Sequence, residues 1–239
     1  MPPLLILGSA GCLGALLLFG ADLILYFPDD PTLRTAACYF RSIDPNGDSL
    51  AVSPMADISP FRLMLGGVLG PVAAVLYALG FMHLYFGLRP ELGGMMPALV
   101  AGSFATAMTV GAVYHALFAY TGFIARALRS TADADSASSH LAMSALLRQH
   151  QAYLLYTYRW AALPGFIGTL GFIATVLSRD TMYPTYSVLL APGLSAPLKL
   201  WLKQHDLGDL VLCGGLTNLW NLSFLLTITW SAAQGKSGM

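Results

Sequence analysis

The sequence places a few ionisable side chains inside long apolar stretches. Asp22 lies near the end of the apolar run 4–27, and His115 lies within residues 95–124, which contain no Asp, Glu, Lys or Arg. A charged side chain at the centre of a bilayer costs at least about 2.5–3.5 kcal/mol, so such groups face other helices and find partners there. Desolvation shifts the pKa of a buried carboxyl or imidazole group and suits it to proton transfer. We therefore predict that Asp22 and His115 form a catalytic acid/base couple.

Other polar residues are expected at a similar depth or within the same bundle of helices. As substrate-binding residues we predict Arg62, Tyr114, Tyr156, Asn218 and Asn221. Two purely structural readings stay open. Asp22 and Arg62 could form an ion pair that ties the first two apolar segments together. The two Asn residues could bond across helices, an interaction of under about 1–2 kcal/mol.

Composition indicates an integral membrane protein. The chain of 239 residues is 56% hydrophobic and only 10% charged, whereas soluble domains are about 25% charged. Its formal net charge is zero, and basic residues do not cluster, so we expect no nucleic-acid partner. Membrane lipids are the expected surroundings. A homo-oligomer or a larger membrane complex is also compatible with the sequence, because Gly and Ala recur at helical spacing in the apolar segments and allow close helix packing.

The apolar segments predict an all-α helix bundle with six transmembrane helices, because about 20 apolar residues cross a bilayer. The alternative is five helices plus a re-entrant or interfacial segment over 183–202, a run interrupted by Pro192 and Pro197. With six spans the positive-inside rule puts both termini outside, and with five the carboxy terminus moves inside. We expect one polytopic domain over 1–239, with a long polar loop at 28–60 and a polar, amphipathic connection at 125–152. The six predicted spans are residues 4–27, 61–88, 95–124, 153–177, 183–202 and 207–231.

No pattern predicts a metal site or a cofactor. The three Cys residues, Cys12, Cys38 and Cys213, lie far apart and match neither a disulfide framework nor metal-ligand spacing. The acidic turn at 44–48 lacks the alternating ligands of a calcium loop. His83 is expected near the opposite leaflet from His115, and His150 in a solvated segment. Tyr183 is expected to anchor the chain at the membrane interface.

Several short motifs together suggest a family. They are 20–26 (GADLILY), 62–63 (RL), 114–116 (YHA), 183–184 (YP) and 215–218 (GLTN). Taken together, they resemble an uncharacterised family of bacterial multi-pass membrane proteins. The resemblance implies location in the bacterial inner membrane and carries no established activity.

Three functions remain open from the sequence. The leading hypothesis is a membrane protein with an intramembrane polar pocket that binds a lipid or another lipophilic small molecule, with Asp22 and His115 available for acid/base chemistry. The second is a small proton-coupled transporter that uses the same groups as a relay. The third is a structural subunit of a larger membrane complex.

Overall fold

The computed structural model describes residues 2–26, 54–88, 94–133, 137–178, 181–204 and 215–234. Within these ranges the chain forms helices and no strands, which confirms the all-α class. Short 3-10 helices cover Pro54–Asp57, Thr185–Leu190 and Pro192–Leu194. The α-helices are α1 (Pro2–Tyr26), α2 (Pro60–Gly87), α3 (Met95–Asp133), α4 (Ala137–Leu177), α5 (Ser195–Gln204) and α6 (Gly215–Gln234). The sequence-based expectations for the turn at 44–48, Cys38 and Cys213 lie outside the described residues.

Four of these helices are long and apolar enough to cross a membrane, which indicates a membrane protein. They are Pro3–Leu25, Pro60–Gly87, Met95–Leu128 and Leu141–Leu177. Each provides at least the 20 or so residues that the hydrocarbon core requires. Large apolar side chains remain exposed along them, as a lipid-facing surface requires.

The segment predicted as a fifth span is not one continuous helix. Two 3-10 helices are followed by α5, which has 10 residues and is therefore about 15 Å long. That length is about half of the 30 Å hydrocarbon core. The Pro residues in this run interrupt the helical hydrogen bonding, because proline lacks the N–H group.

Small residues set the antiparallel packing of α1, α2 and α3. A Cβ atom on Gly11 of α1 would lie 2.8 Å from the Cα atom of Gly80 of α2. A Cβ atom on Gly67 of α2 would lie 2.9 Å from the Cβ atom of Ala119 of α3. Helices can approach this closely only where neither side chain intervenes.

The helix α6 runs in the same direction as α4. Gly168 of α4 lies against Phe104 of α3, while Gly215 at the start of α6 lies against Phe19 near the end of α1. Gly8 of α1 lies against the other end of α6, so α4 and α6 run in the same direction. The end of α4 and the start of α6 therefore lie at opposite ends of the bundle. The beginning of α1 and the end of α6 lie at the same end.

The predicted connection over 125–152 is mostly helical. The helix α3 has 39 residues and continues to Asp133, and α4 has 41 residues and begins at Ala137. His150 of α4, expected in solvent, is buried, and its Nε2 lies 2.9 Å from the Leu117 carbonyl oxygen of α3. Packing of the two helices beyond the apolar stretch explains this difference, since Leu128 and Leu147 share a small core there.

Candidate functional site

The site is centred on the carboxyl group of Asp22, which α1 places inside the bundle. Asp22 is 6% exposed, and its Oδ1 lies 3.2 Å from Nε2 of His115 on α3. Its Oδ2 accepts a hydrogen bond of 2.7 Å from Nδ2 of Asn218 on α6. Both carboxyl oxygens therefore have polar partners, which offsets the cost of placing this group away from water. Three helices meet at one carboxyl group, and the structure brings together three of the residues that the sequence singled out.

A tyrosine that the sequence analysis did not select completes the cluster. Tyr77 of α2 is fully buried, and its hydroxyl group donates to Oδ1 of Asn218 at 3.1 Å. A hydroxyl donor at Oδ1 directs the amide nitrogen of Asn218 towards Asp22. Tyr77 therefore acts as a positioning residue for the donor that holds the carboxyl group. The available signal was its place on one helical face with Gly66, Gly70 and Ala73.

His115 is held against α2 at a glycine. A Cβ atom on Gly70 would lie 2.9 Å from Nδ1 of His115, so the imidazole ring rests on the α2 backbone. The Nδ1 atom is buried and has no hydrogen-bond partner among the described residues. A buried polar atom without a partner costs about 1–3 kcal/mol. This nitrogen is the end of the Asp22–His115 couple that has no hydrogen-bond partner within the described residues.

The geometry allows a proton to move along a defined line. Asn218 donates to Oδ2 of Asp22, so a proton shared with His115 lies between Oδ1 and Nε2. With Asp22 ionised and Nε2 protonated, Nδ1 carries a lone pair. If Nδ1 gains a proton, the Nε2 proton can move to Oδ1. The cluster can therefore accept one proton at Nδ1 while the imidazole ring stays neutral.

An apolar groove lies between α2 and α3, next to this cluster. It has a volume of about 900 Å³, within the range of pockets that bind small molecules. Thr109 supplies its only hydroxyl side chain, and that hydroxyl donates to the Ala105 carbonyl oxygen at 2.9 Å. The groove runs from the level of Pro71 and Ala116, adjacent in sequence to Gly70 and His115, towards the other end of α2. Its lining residues are Pro71, Ala74, Val75, Ala78, Leu79, Met82, Ala105, Thr109, Ala112, Val113, Ala116 and Leu117.

The remaining predicted site residues lie around the cluster in different ways. Nη2 of Arg62 donates to the Ile24 carbonyl oxygen at 2.9 Å, so Arg62 ties α2 to α1 through the backbone. Tyr114 packs beside Tyr158, with ring centroids 5.7 Å apart. Tyr156 is 57% exposed, which leaves it on the outer surface of α4. Asn221 is buried, and its Oδ1 has no hydrogen-bond partner among the described residues.

A second polar pair lies towards the opposite end of α2. The Tyr183 hydroxyl group donates to the His83 carbonyl oxygen at 2.9 Å, and Nδ1 of His83 lies 2.9 Å from the same hydroxyl oxygen. Since that hydroxyl has one proton, Nδ1 is the donor and Nε2 of His83 carries the lone pair. Tyr183 is 5% exposed, so its predicted role as an interface anchor is wrong. The absence of a side chain on Gly87 admits its ring beside α2.

Comparison with known proteins gives a family and no activity. Residues 3–225 match the family described as "Family of unknown function (DUF6796)", and the chain belongs to this family. No curated protein and no solved structure matches the chain.

Proposed function

We propose that this protein is a multi-pass protein of the bacterial inner membrane that binds a lipid or another lipophilic small molecule beside the Asp22–His115 couple. The observation that carries the proposal is the buried contact between Asp22 and His115, next to an apolar groove whose lining includes Ala116, the residue that follows His115. The groove supplies apolar contact, and the couple supplies a proton acceptor at a fixed position. This combination of an apolar cavity with few polar groups is typical of small-molecule sites.

We also propose six crossings of the membrane. The helix α6 and the connection between α4 and α6 (the return segment, described over residues 181–204) would supply the last two crossings, in addition to the four long helices. Support comes from the start of α1 and the end of α6, which lie at the same end of the bundle, as an even number of crossings between them would place them. Non-helical backbone at membrane depth is tolerated where protein covers it, and Ser187, Ala191 and Pro192 of the return segment are buried.

Variants of the couple test the proposal. The protein would be purified in a mild uncharged detergent, and co-purifying lipophilic molecules would be identified by mass spectrometry. Asp22→Asn and His115→Ala should keep the helical circular dichroism spectrum and lose a compound that the wild type retains. His150→Ala is the matched control, because it removes a buried, hydrogen-bonded imidazole away from the couple. Retention of the compound by both Asp22→Asn and His115→Ala would show that the site is wrongly placed.

A proton-coupled transporter is the second candidate, and one observation favours it. Buried polar atoms without hydrogen-bond partners in the described chain continue along the bundle away from Asp22. They are Oδ1 of Asn221, Oγ1 of Thr229 and Nε2 of His83. In a relay, such atoms would hydrogen-bond to intervening water molecules, which would carry the proton between Asp22 and His83. Proton flux into proteoliposomes, lost in Asp22→Asn and kept in His150→Ala, would favour transport over binding alone.

A further inference from the structure

One arginine of α4 carries its charge on the outer surface of the bundle. Arg159 is exposed, and it makes no hydrogen bond or ion pair with another residue that the structure describes. The guanidinium groups of Arg62 and Arg126, in contrast, donate to backbone carbonyl oxygens of the same chain. The positive charge of Arg159 is therefore available to an anion from outside the described chain.

The uncharged stretch that follows Arg159 indicates its depth in the membrane. The candidate span Leu141–Leu177 has 37 residues, about 55 Å of helix, which exceeds the hydrocarbon core of about 30 Å. Residues 160–178 contain no Asp, Glu, Lys or Arg, and the helix rises about 27 Å from Arg159 to Leu177. This spacing puts Arg159 at the boundary between hydrocarbon and head groups. Its Cα–Cβ bond is tilted towards the N-terminus of α4, away from the hydrocarbon.

The side chains beside Arg159 add hydrogen-bond donors to its charge. Trp160 is about half exposed, and so is Tyr156, one turn before Arg159 on the helix surface. The rings of Tyr156 and Trp160 contact each other, with centroids 6.0 Å apart. Guanidinium and indole N–H groups only donate, whereas the tyrosine hydroxyl group donates or accepts. Because the guanidinium group matches the geometry of phosphate oxygens, this set of donors favours a phosphate group.

An exposed apolar stripe continues from Arg159 into the hydrocarbon region. Leu163, Phe166 and Leu170 follow at helical spacing, and more than half of each side chain is exposed. The helix rises about 16 Å from Arg159 to Leu170, which is about half of the hydrocarbon core. The stripe therefore matches the depth of one leaflet. We call this surface the Arg159 face, and it consists of Tyr156, Arg159, Trp160, Leu163, Phe166 and Leu170.

We propose that the Arg159 face binds one anionic phospholipid, whose phosphate group pairs with Arg159 and whose acyl chain lies along the apolar stripe. An anionic lipid fits better than a zwitterionic one, because a zwitterionic head group brings a cation that competes for its own phosphate. This site lies on the outside of α4, and it does not depend on the function proposed for the Asp22–His115 couple.

Native mass spectrometry of the full-length protein tests the head group. Protein purified in uncharged detergent is titrated with phosphatidylglycerol or with phosphatidylcholine of the same acyl chains, and the Kd of the first bound lipid is measured. The wild type should bind phosphatidylglycerol about fivefold more tightly, as expected for one Arg at an anionic membrane surface. Arg159→Gln should remove this preference and leave the affinity for phosphatidylcholine unchanged.

Arg148→Gln is the matched control. Arg148 is exposed on the same side of α4, three turns and about 16 Å before Arg159. That distance exceeds the Debye length of about 8–10 Å, so the preference for phosphatidylglycerol should persist in this variant. Both arginines are exposed, so both variants should keep the helical circular dichroism spectrum.

Photolabelling locates the acyl chain. A phosphatidylglycerol that carries a photoreactive diazirine in its acyl chain is added to the protein in the same detergent, and labelled residues are mapped by mass spectrometry. Labels should fall within residues 160–171 of α4 in the wild type and in Arg148→Gln. In Arg159→Gln the lipid concentration needed for half-maximal labelling should rise about fivefold.

Several results would overturn this proposal. They are equal affinities of the wild type for the two lipids, equal losses of preference in Arg148→Gln and Arg159→Gln, and labels confined to other helices. Loss of a co-purifying protein in Arg159→Gln, with the preference for phosphatidylglycerol unchanged, would assign the Arg159 face to a protein partner instead. The compound lost in Asp22→Asn is a separate measurement, so this proposal and the proposed function can fail independently.

Discussion

Replacing Asn218 with Leu should destabilise the bundle, and the size of the effect follows from its two contacts. Asn218 donates to Oδ2 of Asp22 at 2.7 Å and accepts from Tyr77 at 3.1 Å. A hydrogen bond to a charged group contributes about 1.5–3 kcal/mol and a neutral one about 0.5–1.5 kcal/mol. Measured values between membrane helices average about 0.6 kcal/mol, with a maximum near 1.7, because the separated helices find other partners. We therefore expect a loss of about 2 kcal/mol.

The same helix offers a matched control. Asn221 is also buried, but its Oδ1 has no hydrogen-bond partner in the described chain. Replacing Asn221 with Leu removes this unpaired oxygen together with one neutral hydrogen bond to Tyr77, so the loss in the free energy of unfolding should be smaller than that of Asn218→Leu, about 0.5 kcal/mol. Unfolding of the purified variants in mixed micelles, followed by circular dichroism as the denaturing detergent increases, measures both changes.

A double-mutant cycle identifies the partner. With Asp22→Asn already present, Asn218→Leu should cost only about 1 kcal/mol, since the carboxylate is gone, and the coupling energy should be about 1 kcal/mol. Equal losses for Asn218→Leu and Asn221→Leu, or a coupling energy of zero, would refute the assignment of Asn218 as the donor that holds Asp22.

Two glycine positions give further predictions, each with a control, measured by the same unfolding assay. Gly70→Ala places a methyl group 2.9 Å from His115 Nδ1, so overpacking of about 1–3 kcal/mol should outweigh the gain in helix propensity of up to about 1 kcal/mol. Gly111→Ala, whose Cβ atom has open space, should stabilise; equal behaviour of the two would contradict the packing of His115 on α2. Gly80→Ala directs a methyl group into the backbone of α1, which cannot move aside as a side chain can, and should destabilise more than Gly70→Ala. Gly20→Ala has open space, so a loss there as large as at Gly80 would argue against close α1–α2 contact.

Much of the candidate site could be predicted from the sequence, because a membrane restricts both the backbone and the polar side chains of the segments that cross it. Apolar segments of sufficient length must be helical, since backbone polar groups need partners inside the same segment. Polar residues within them must turn towards one another. Those two constraints were enough to select Asp22, His115 and Asn218.

Some features depended on contacts that periodicity does not reveal. Hydrophobic periodicity assigns a residue to a face and a depth, whereas the rotation of each helix about its axis is set by which side chains fit its neighbours. From the sequence, Tyr77 could be assigned only to one face of a helix. Its hydrogen bond to Asn218 could not be predicted, because it depends on where α6 lies in the bundle. Tyr183 has the composition of an interface anchor, but the space beside Gly87 places it against His83.

By itself, the sequence determined the class of the protein and the side chains that hydrocarbon cannot accommodate. Its 10% charged residues and long apolar segments determine those properties through the cost of desolvating charge. The tertiary structure decided which partner each polar atom has. Asp22 bonds to His115 and Asn218 because Gly70 lets the imidazole ring rest on α2, and because α6 runs antiparallel to α1. The buried, unpaired Nδ1 of His115 is a consequence of that packing.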